Sequence, residues 1–322
     1  MRAPLIIAIC ILAATGFSQT HVRFIATGDD RWETNNHRPG MDENGVNVGA
    51  MRKLAAAIVE DKPDVLLFNG DTIGGGTDEE EASQYKTFLG VMRPIYDAKI
   101  HVLVVRGNHE MRAPHASQLW RDTFSGPLAN PSNGPAGEED MTFSYEIGNT
   151  LFLGLDQFMT PKPTVNQAWI DKTIAESKAT HIFAFAHKMA FKAGSHTDGM
   201  NTIPAERDAF LDSITSRGET VFFAGHDHMY DHVSAAKSGW APGKLLHQIV
   251  CGTAGAPFYH ASSTEATDGN WTLTHVNHIE QKLGYAVVDV DGPKVTVVFK
   301  AESATEPGKF EAVETFSYVN GS

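Results

Sequence analysis

Five short polar clusters, each at the end of an apolar run, carry the residue types that bind hard and borderline cations. Val22 to Ala26 is followed by Gly28, Asp29, Asp30 and Arg31, and Val65 to Phe68 by Asn69, Gly70 and Asp71. Ile100 to Val105 leads into Gly107, Asn108, His109 and Glu110. His181 to Ala186 ends on His187, and Thr220 to Ala224 leads into Gly225, His226, Asp227 and His228. Carboxylate and amide oxygens together with imidazole nitrogens form a donor set suited to Zn, Mn or Fe. Taken singly, an Asp or Asn beside Gly after a strand is an ordinary turn, and one tetrapeptide is a weak signal. Five in succession at strand ends point to one convergent site, because the carboxyl ends of strands in an α/β sheet line the ligand crevice.

The elements that must position these clusters alternate. Strands are expected at 22–26, 65–68 and 100–105, with helices at 46–60, 80–96 and 116–124 between and after them, the rhythm of an α/β layered domain. Gly126 to Asp140, rich in Pro, Gly and Asn, reads as a loop. A hairpin is expected at 142–147 and 151–155, turning at Gly148 and Asn149. Helices follow at 165–178 and 205–216 and strands at 181–186 and 220–224; the rest is read as strands, at 245–250, 285–290, 294–300 and 314–319. The acidic run Asp78 to Glu81 suits a helix start, Trp169 and Ile170 share an apolar helix face, and Asp156 is expected in structural hydrogen bonding.

In order and type, the clusters resemble the motifs of the calcineurin-like metallophosphoesterase superfamily, to which purple acid phosphatases belong. The matches are Asp29, Gly70 with Asp71, the run Gly107 to Glu110, His187, and the run Gly225 to His228, spanning residues 28 to 228. The run Gly252 to Tyr259 (GTAGAPFY) is similar to a segment such enzymes often carry after the last motif. The resemblance implies a four-layer α/β/β/α sandwich of two mixed sheets, with a site for two divalent metal ions (Zn, Mn or Fe) at the strand C-terminal ends. It implies that Asp71 bridges both metals, that Asn108, His187 and His226 complete one site, and that Asp29 and His228 belong to the other. A hydroxide shared by the cations would attack phosphorus, with His109 near the leaving group as general acid or phosphate ligand and Glu110 orienting its ring.

The first motif departs from the pattern. Many members read Asp, any residue, His, where this chain reads Asp29, Asp30, Arg31. A guanidinium has no lone pair to give a metal, so the first site is one protein ligand short, with Asp30, Asn69 or water as substitutes and Arg31 as a contact for substrate phosphate. Purple acid phosphatases supply a Tyr three residues after the bridging Asp; here that position is Gly74. The expected function is hydrolysis of a phosphomonoester or phosphodiester. The alternative is a catalytically impaired protein that captures a phosphate ligand through a degenerate metal site.

Bulk properties narrow the setting. Arg2 precedes the apolar run Leu5 to Ala14, the layout of a signal peptide over residues 1–18, so a secreted or periplasmic protein with one domain at 19–322 is expected. No later segment has the ~20 apolar residues that spanning needs. A formal charge of −13 across 322 residues opposes nucleic-acid and anionic lipid surfaces, leaving a small-molecule phosphate ester as the expected partner. Without Cys10, Cys251 is the one remaining cysteine, so no intrachain disulfide is expected. His196, nine residues past His187, is expected on a loop over the site. Asp231, His232, His247, His260, His275 and His278 match no ligand pattern.

Overall fold

In the computed structural model residues 21–32 and 44–320 are described. The expected signal peptide lies outside them. The chain runs β1 (His21–Thr27), α1 (Val48–Asp61), β2 (Val65–Phe68), α2 (Asp78–Asp97), β3 (His101–Val104), α3 (Ala116–Thr123), β4 (Phe143–Ile147), β5 (Thr150–Gly154), α4 (Gln167–Glu176), β6 (His181–Phe185), α5 (Pro204–Ile214) and β7 (Thr220–Ala224). Seven strands follow: β8 (Tyr230–Lys237), β9 (Leu246–Cys251), β10 (Thr267–Asp268), β11 (Trp271–Ile279), β12 (Gly284–Asp291), β13 (Lys294–Glu302) and β14 (Phe310–Val319).

The strands form two mixed sheets, in the orders β14-β13-β12-β1-β2-β3 and β10-β11-β8-β9-β7-β6-β5-β4. β1, β2 and β3 are parallel, as are β5, β6, β7 and β9, while β12 and β8 run antiparallel to their neighbours. Parallel strands need crossovers, and the helices that supply them cover the outer faces. Met51, Leu54 and Ile58 of α1 and Phe88 and Met92 of α2 pack on Leu66, Phe68 and Val104 of the first sheet. Ile170 and Ile174 of α4 and Phe210 and Leu211 of α5 pack on Phe222 and Ala184 of the second.

Between the sheets lies an aromatic core in which Phe24 meets Phe152, Phe183 and Phe223 edge to face at 4.9, 4.8 and 5.9 Å. Such pairs add about 0.5–1.5 kcal/mol each beyond the area they bury. The order helix, sheet, sheet, helix is the four-layer sandwich. The parallel strands β1, β2, β3, β6 and β7 all end at one edge, and there the five polar clusters emerge.

The acidic run starts α2 as a capping box, with Thr77 and Glu80 each satisfying the other's backbone amide. Asp156 forms a fully buried ion pair with Arg106 at 2.6 Å. Among the described residues no helix is long and apolar enough to cross a membrane.

Candidate metal centre

Each cluster leaves its strand through a sharp turn. Asp29, Asp71 and His226 have φ of 64°, 52° and 72°, a left-handed conformation uncommon for residues with a β-carbon. Strain of this kind, about 1–3 kcal/mol per residue, persists only where the surroundings enforce it. Here the backbone does so: Asp29 N donates to Gly70 O at 3.0 Å, Arg31 N to Asp71 O at 3.1 Å, and Gly225 N to His187 O at 2.9 Å. The motif glycines make room for the carboxylates. A β-carbon at Gly107 would stand 2.1 Å from Asp71 Oδ1, and one at Gly225 would stand 2.1 Å from Asp29 Oδ2.

The three histidines share one arrangement. His187 Nδ1 meets Asn69 O at 2.8 Å, His228 Nδ1 meets Pro257 O at 2.7 Å, and His226 Nε2 meets Asp198 Oδ1 at 2.9 Å. A carbonyl or carboxylate can only accept, so each ring donates outward and turns its remaining lone pair inward. Burial lowers His187 to about 3 and His228 well below the ordinary value, which leaves both rings neutral. This is how metal-binding histidines are normally held.

The inward atoms fall into two groups. His187 Nε2 lies 3.0 Å from Asn108 Oδ1, 3.1 Å from His226 Nδ1 and 3.4 Å from Asp71 Oδ1. Four Lewis bases facing one another at such distances, without a proton between them, repel unless a cation joins them. Asp29, Asp71 and His228 place ligand atoms within 4.8 Å of one another. Asp71 belongs to both groups. Burial first and Asp71 second push Asp29 well above the ordinary carboxyl range. At Asp71 burial opposes ionisation, and His187, His109 and Arg31 outweigh it, holding the group below its ordinary value. Two buried carboxylates this close cannot both ionise without positive charge between them, so these residues fit a pair of divalent cations.

The His187 group has four side chains, and the Asp29 group, the first site of the sequence pattern, has three. Asp30 is fully buried with neither oxygen hydrogen-bonded, and Asn69 Oδ1 is likewise unpartnered; Asp30 does not join the Asp29, Asp71, His228 cluster. Arg31 is buried, its Nε 3.7 Å from Asp71 Oδ2.

Two expectations need correction. Glu110 does not orient His109; its carboxylate accepts from the amides of Asp71, Thr72, Ile73 and Gly107 and from the Thr72 hydroxyl, at 2.5 to 3.3 Å. Five hydrogen bonds thus lock the GD and GNHE loops together, and both carboxylate oxygens are engaged away from the ring. The ring is oriented instead by Gly74 O, 2.8 Å from Nδ1, and Arg112 donates to Nε2 at 3.1 Å. With burial lowering it to about 4, His109 is neutral and its outer nitrogen is already an acceptor, so it is not poised as a proton donor.

Sequence reasoning also missed Arg112, Asp198 and the tie on His196. Asp227 accepts from the amides of Gly194, Ser195 and His196 and from His196 Nδ1 at 2.9 Å. His196 stacks on His226 with ring centroids 3.7 Å apart. The signal for Asp227 was its place between two ligating residues; Asp198 carried none. The GTAGAPFY segment closes the Asp29 side, with Ala254 N donating to Gly28 O and Ala256 N to Asp29 O, both at 2.8 Å. Tyr259 stacks on His228 at 4.3 Å.

The calcineurin-like phosphoesterase family model matches residues 36–230, more than half of the chain. The chain belongs to the calcineurin-like phosphoesterase family. That family hydrolyses phosphate esters with divalent metals, and this chain carries a cluster of side chains that could hold a metal ion where its strands end. Its fold is similar to that of the purple acid phosphatase PPD1 of yellow lupin (Lupinus luteus), at 15% identity and a TM-score of 0.64, over 93% of this chain and 54% of that one. The chain thus spans about half the length of the lupin enzyme. It is similar to PhoD at 12% identity and a TM-score of 0.62, over 93% of this chain and 70% of that one. It is also similar to GAP50, the anchor in the inner membrane complex of Plasmodium, at 12% identity and a TM-score of 0.60, covering 94% and 90%. No curated protein matches the sequence.

Proposed function

We propose that the protein hydrolyses small-molecule phosphate esters with two divalent cations, one held by Asp71, Asn108, His187 and His226 and the other by Asp29, Asp71 and His228. The observation that carries this is the set of three histidines tied outward through one nitrogen, with their second nitrogens facing inward among buried carboxylates. When bound, the cations supply Lewis acidity toward water and toward the phosphate oxygens.

The chain's own residues do the rest. Asp29, Asp71 and His226 are held in position by their loops before any ligand arrives, so little reorganisation is needed at the moment of reaction. Arg31 and Arg112 bring two guanidinium groups to the same mouth, suited to bidentate hydrogen bonding with phosphate oxygens. His109, bonded to Arg112, acts with it as part of that cradle. His196 keeps Nδ1 on Asp227 and so has Nε2 to meet a leaving group. Export from the cytoplasm, suggested by residues 1–18, would bring the site to esters outside the cell.

A second reading, capture of a phosphate ligand without turnover, is favoured by the three-ligand first cluster. Metal analysis paired with hydrolysis of a chromogenic monoester and diester decides between them. Two cations per chain with turnover of either ester support the enzyme; bound metal with phosphate binding and no turnover supports capture. Absence of metal affinity would defeat both.

A further inference from the structure

Away from the metal centre, four titratable side chains form a chain across the two sheets. Glu314 of β14 bonds to His232 Nδ1 of β8. His232 Nε2 lies 2.8 Å from His247 Nδ1 of β9, and His247 Nε2 lies 2.7 Å from Glu219, just before β7. His232 and His247 are 1% and 6% exposed. Phe316 of β14 lies over both rings at 4.5 Å.

Counting protons decides the state. The two carboxylates accept, so His232 Nδ1 and His247 Nε2 each donate one proton outward. If the pair held only those two, His232 Nε2 and His247 Nδ1 would be two lone pairs facing each other at 2.8 Å in a buried site. A third proton turns that repulsion into a hydrogen bond of ordinary length. A metal ion is not the alternative. The facing nitrogens of the metal centre converge with two oxygens, whereas here only two atoms face each other and the outer nitrogens are taken by Glu314 and Glu219.

We propose that His232 and His247 share a third proton in the folded protein, and that the positive charge it brings clasps β14 to the second sheet between Glu314 and Glu219. Burial works to lower His247, and the bond from Glu219 opposes it. Burial works to raise Glu314, and the bond and charge of His232, with hydrogen bonds from Asn277 and Tyr230, together outweigh it, leaving Glu314 below its ordinary value. The other ionisable groups facing the chain are Tyr230 and Asp231 from β8, Tyr318 from β14 and Cys251 from β9, whose buried thiol is pushed upward. Tyr230 and Tyr318 are pushed upward by burial and stay neutral, so they do not supply the proton. Asn320, past the end of β14, holds the same corner by accepting from Glu219 N at 2.8 Å.

The sign follows from linkage. Folding takes up a proton that an unfolded histidine, with pKa about 6.5, would release. The contribution is fully present below that value and is lost as the pH rises until the clasp itself gives up its proton.

Nitrogen NMR of the histidine rings in the full-length, metal-loaded protein at pH 7.5 tests this directly. Three protonated nitrogens among the four of His232 and His247 are expected. Two would overturn the proposal, as would a shift of either ring on chelation, which would signal a bound metal. Denaturant unfolding between pH 6.5 and the clasp's own titration supplies a second reading. The folding constant should fall up to tenfold more steeply per pH unit than in the double variant His232→Gln with His247→Gln. Equal slopes would overturn it. Hydrolysis of a chromogenic ester by the double variant should be unchanged.

Discussion

His226 Nδ1 faces His187 Nε2 across 3.1 Å, and each ring has already given its proton to an acceptor behind it. Neither can satisfy the other, so the contact is favourable only with a cation beside it. Chelation should therefore destabilise the protein and not merely silence it. A cation present at a hundredfold over its dissociation constant contributes about 2.7 kcal/mol. Melting temperature should fall on chelation and return on adding Zn or Mn; an unchanged melting temperature would count against bound metal.

Asp71 is the side chain common to both ligand groups. Asp71→Asn should lower metal content at both positions and abolish turnover. Asp198 meets His226 at its outer nitrogen and otherwise accepts from Lys188 Nζ, so Asp198→Asn should weaken metal about 10–100-fold, the range for outer partners of ligands. Metal titration of the two variants separates these cases. Comparable losses from both would mean that Asp71 is not shared.

Gly225 tests the packing of the same site. A β-carbon there would collide with Asp29 Oδ2, so Gly225→Ala must displace that carboxylate. Stability should drop by about 1–3 kcal/mol, typical of overpacking, and metal should be lost first from the Asp29 and His228 side. Retention of both cations at normal affinity would show that Asp29 is not a ligand.

The strand ends were legible in the sequence because each parallel strand is a short apolar run closed by a polar turn, whereas the two-sheet sandwich followed from the family resemblance of those turns. β8 was not. It is almost wholly buried between β9 and β11 yet carries Asp231, His232 and Ser234, so its composition reads as a loop. β11 alternates buried Trp271 and Leu273 with exposed Thr272 and Thr274, but an irregularity between His275 and Asn277 breaks the period. The role of Glu110 was hidden for another reason. Adjacency to His109 suggested a contact with its ring, whereas the turn directs the carboxylate to amides 37 to 39 residues away in sequence. Sequence neighbours predict shared loops, not shared hydrogen bonds.

Glu81 is expected to shape the pH dependence of stability. Its Oε1 accepts from Ala113 N and Gly76 N, while Oε2 is enclosed without a partner, and burial raises it from 4.5 to about 7. A raised carboxyl favours folding while protonated, so stability is fully present below pH 4.5 and declines as the pH rises toward 7. Glu81→Gln keeps the accepting oxygen and removes the charge. Its unfolding free energy should decline less than that of the wild type over this interval, and parallel curves would exclude Glu81 as a contributor.

Arg31 is where the chain departs most from its family, and its burial against Asp71 excludes a side chain that simply points to solvent. A guanidinium beside the shared carboxylate supplies fixed positive charge but no lone pair, leaving three side chains for the Asp29 cation against four for the other. The protein should accordingly hold one cation tightly and the second loosely, with activity rising when Mn is added after dialysis. Arg31→His removes the charge and offers an imidazole. Affinity for the second cation should rise, while KM for a phosphate ester should rise too, because the oxygens lose a guanidinium worth roughly 1.5–3 kcal/mol as a charged hydrogen-bond donor. Damage to the fold would weaken metal and substrate together, so the opposite movements identify the cause. Calorimetric metal titration and steady-state kinetics on both proteins make the comparison, and unchanged metal affinity with unchanged KM would remove Arg31 from the site's chemistry.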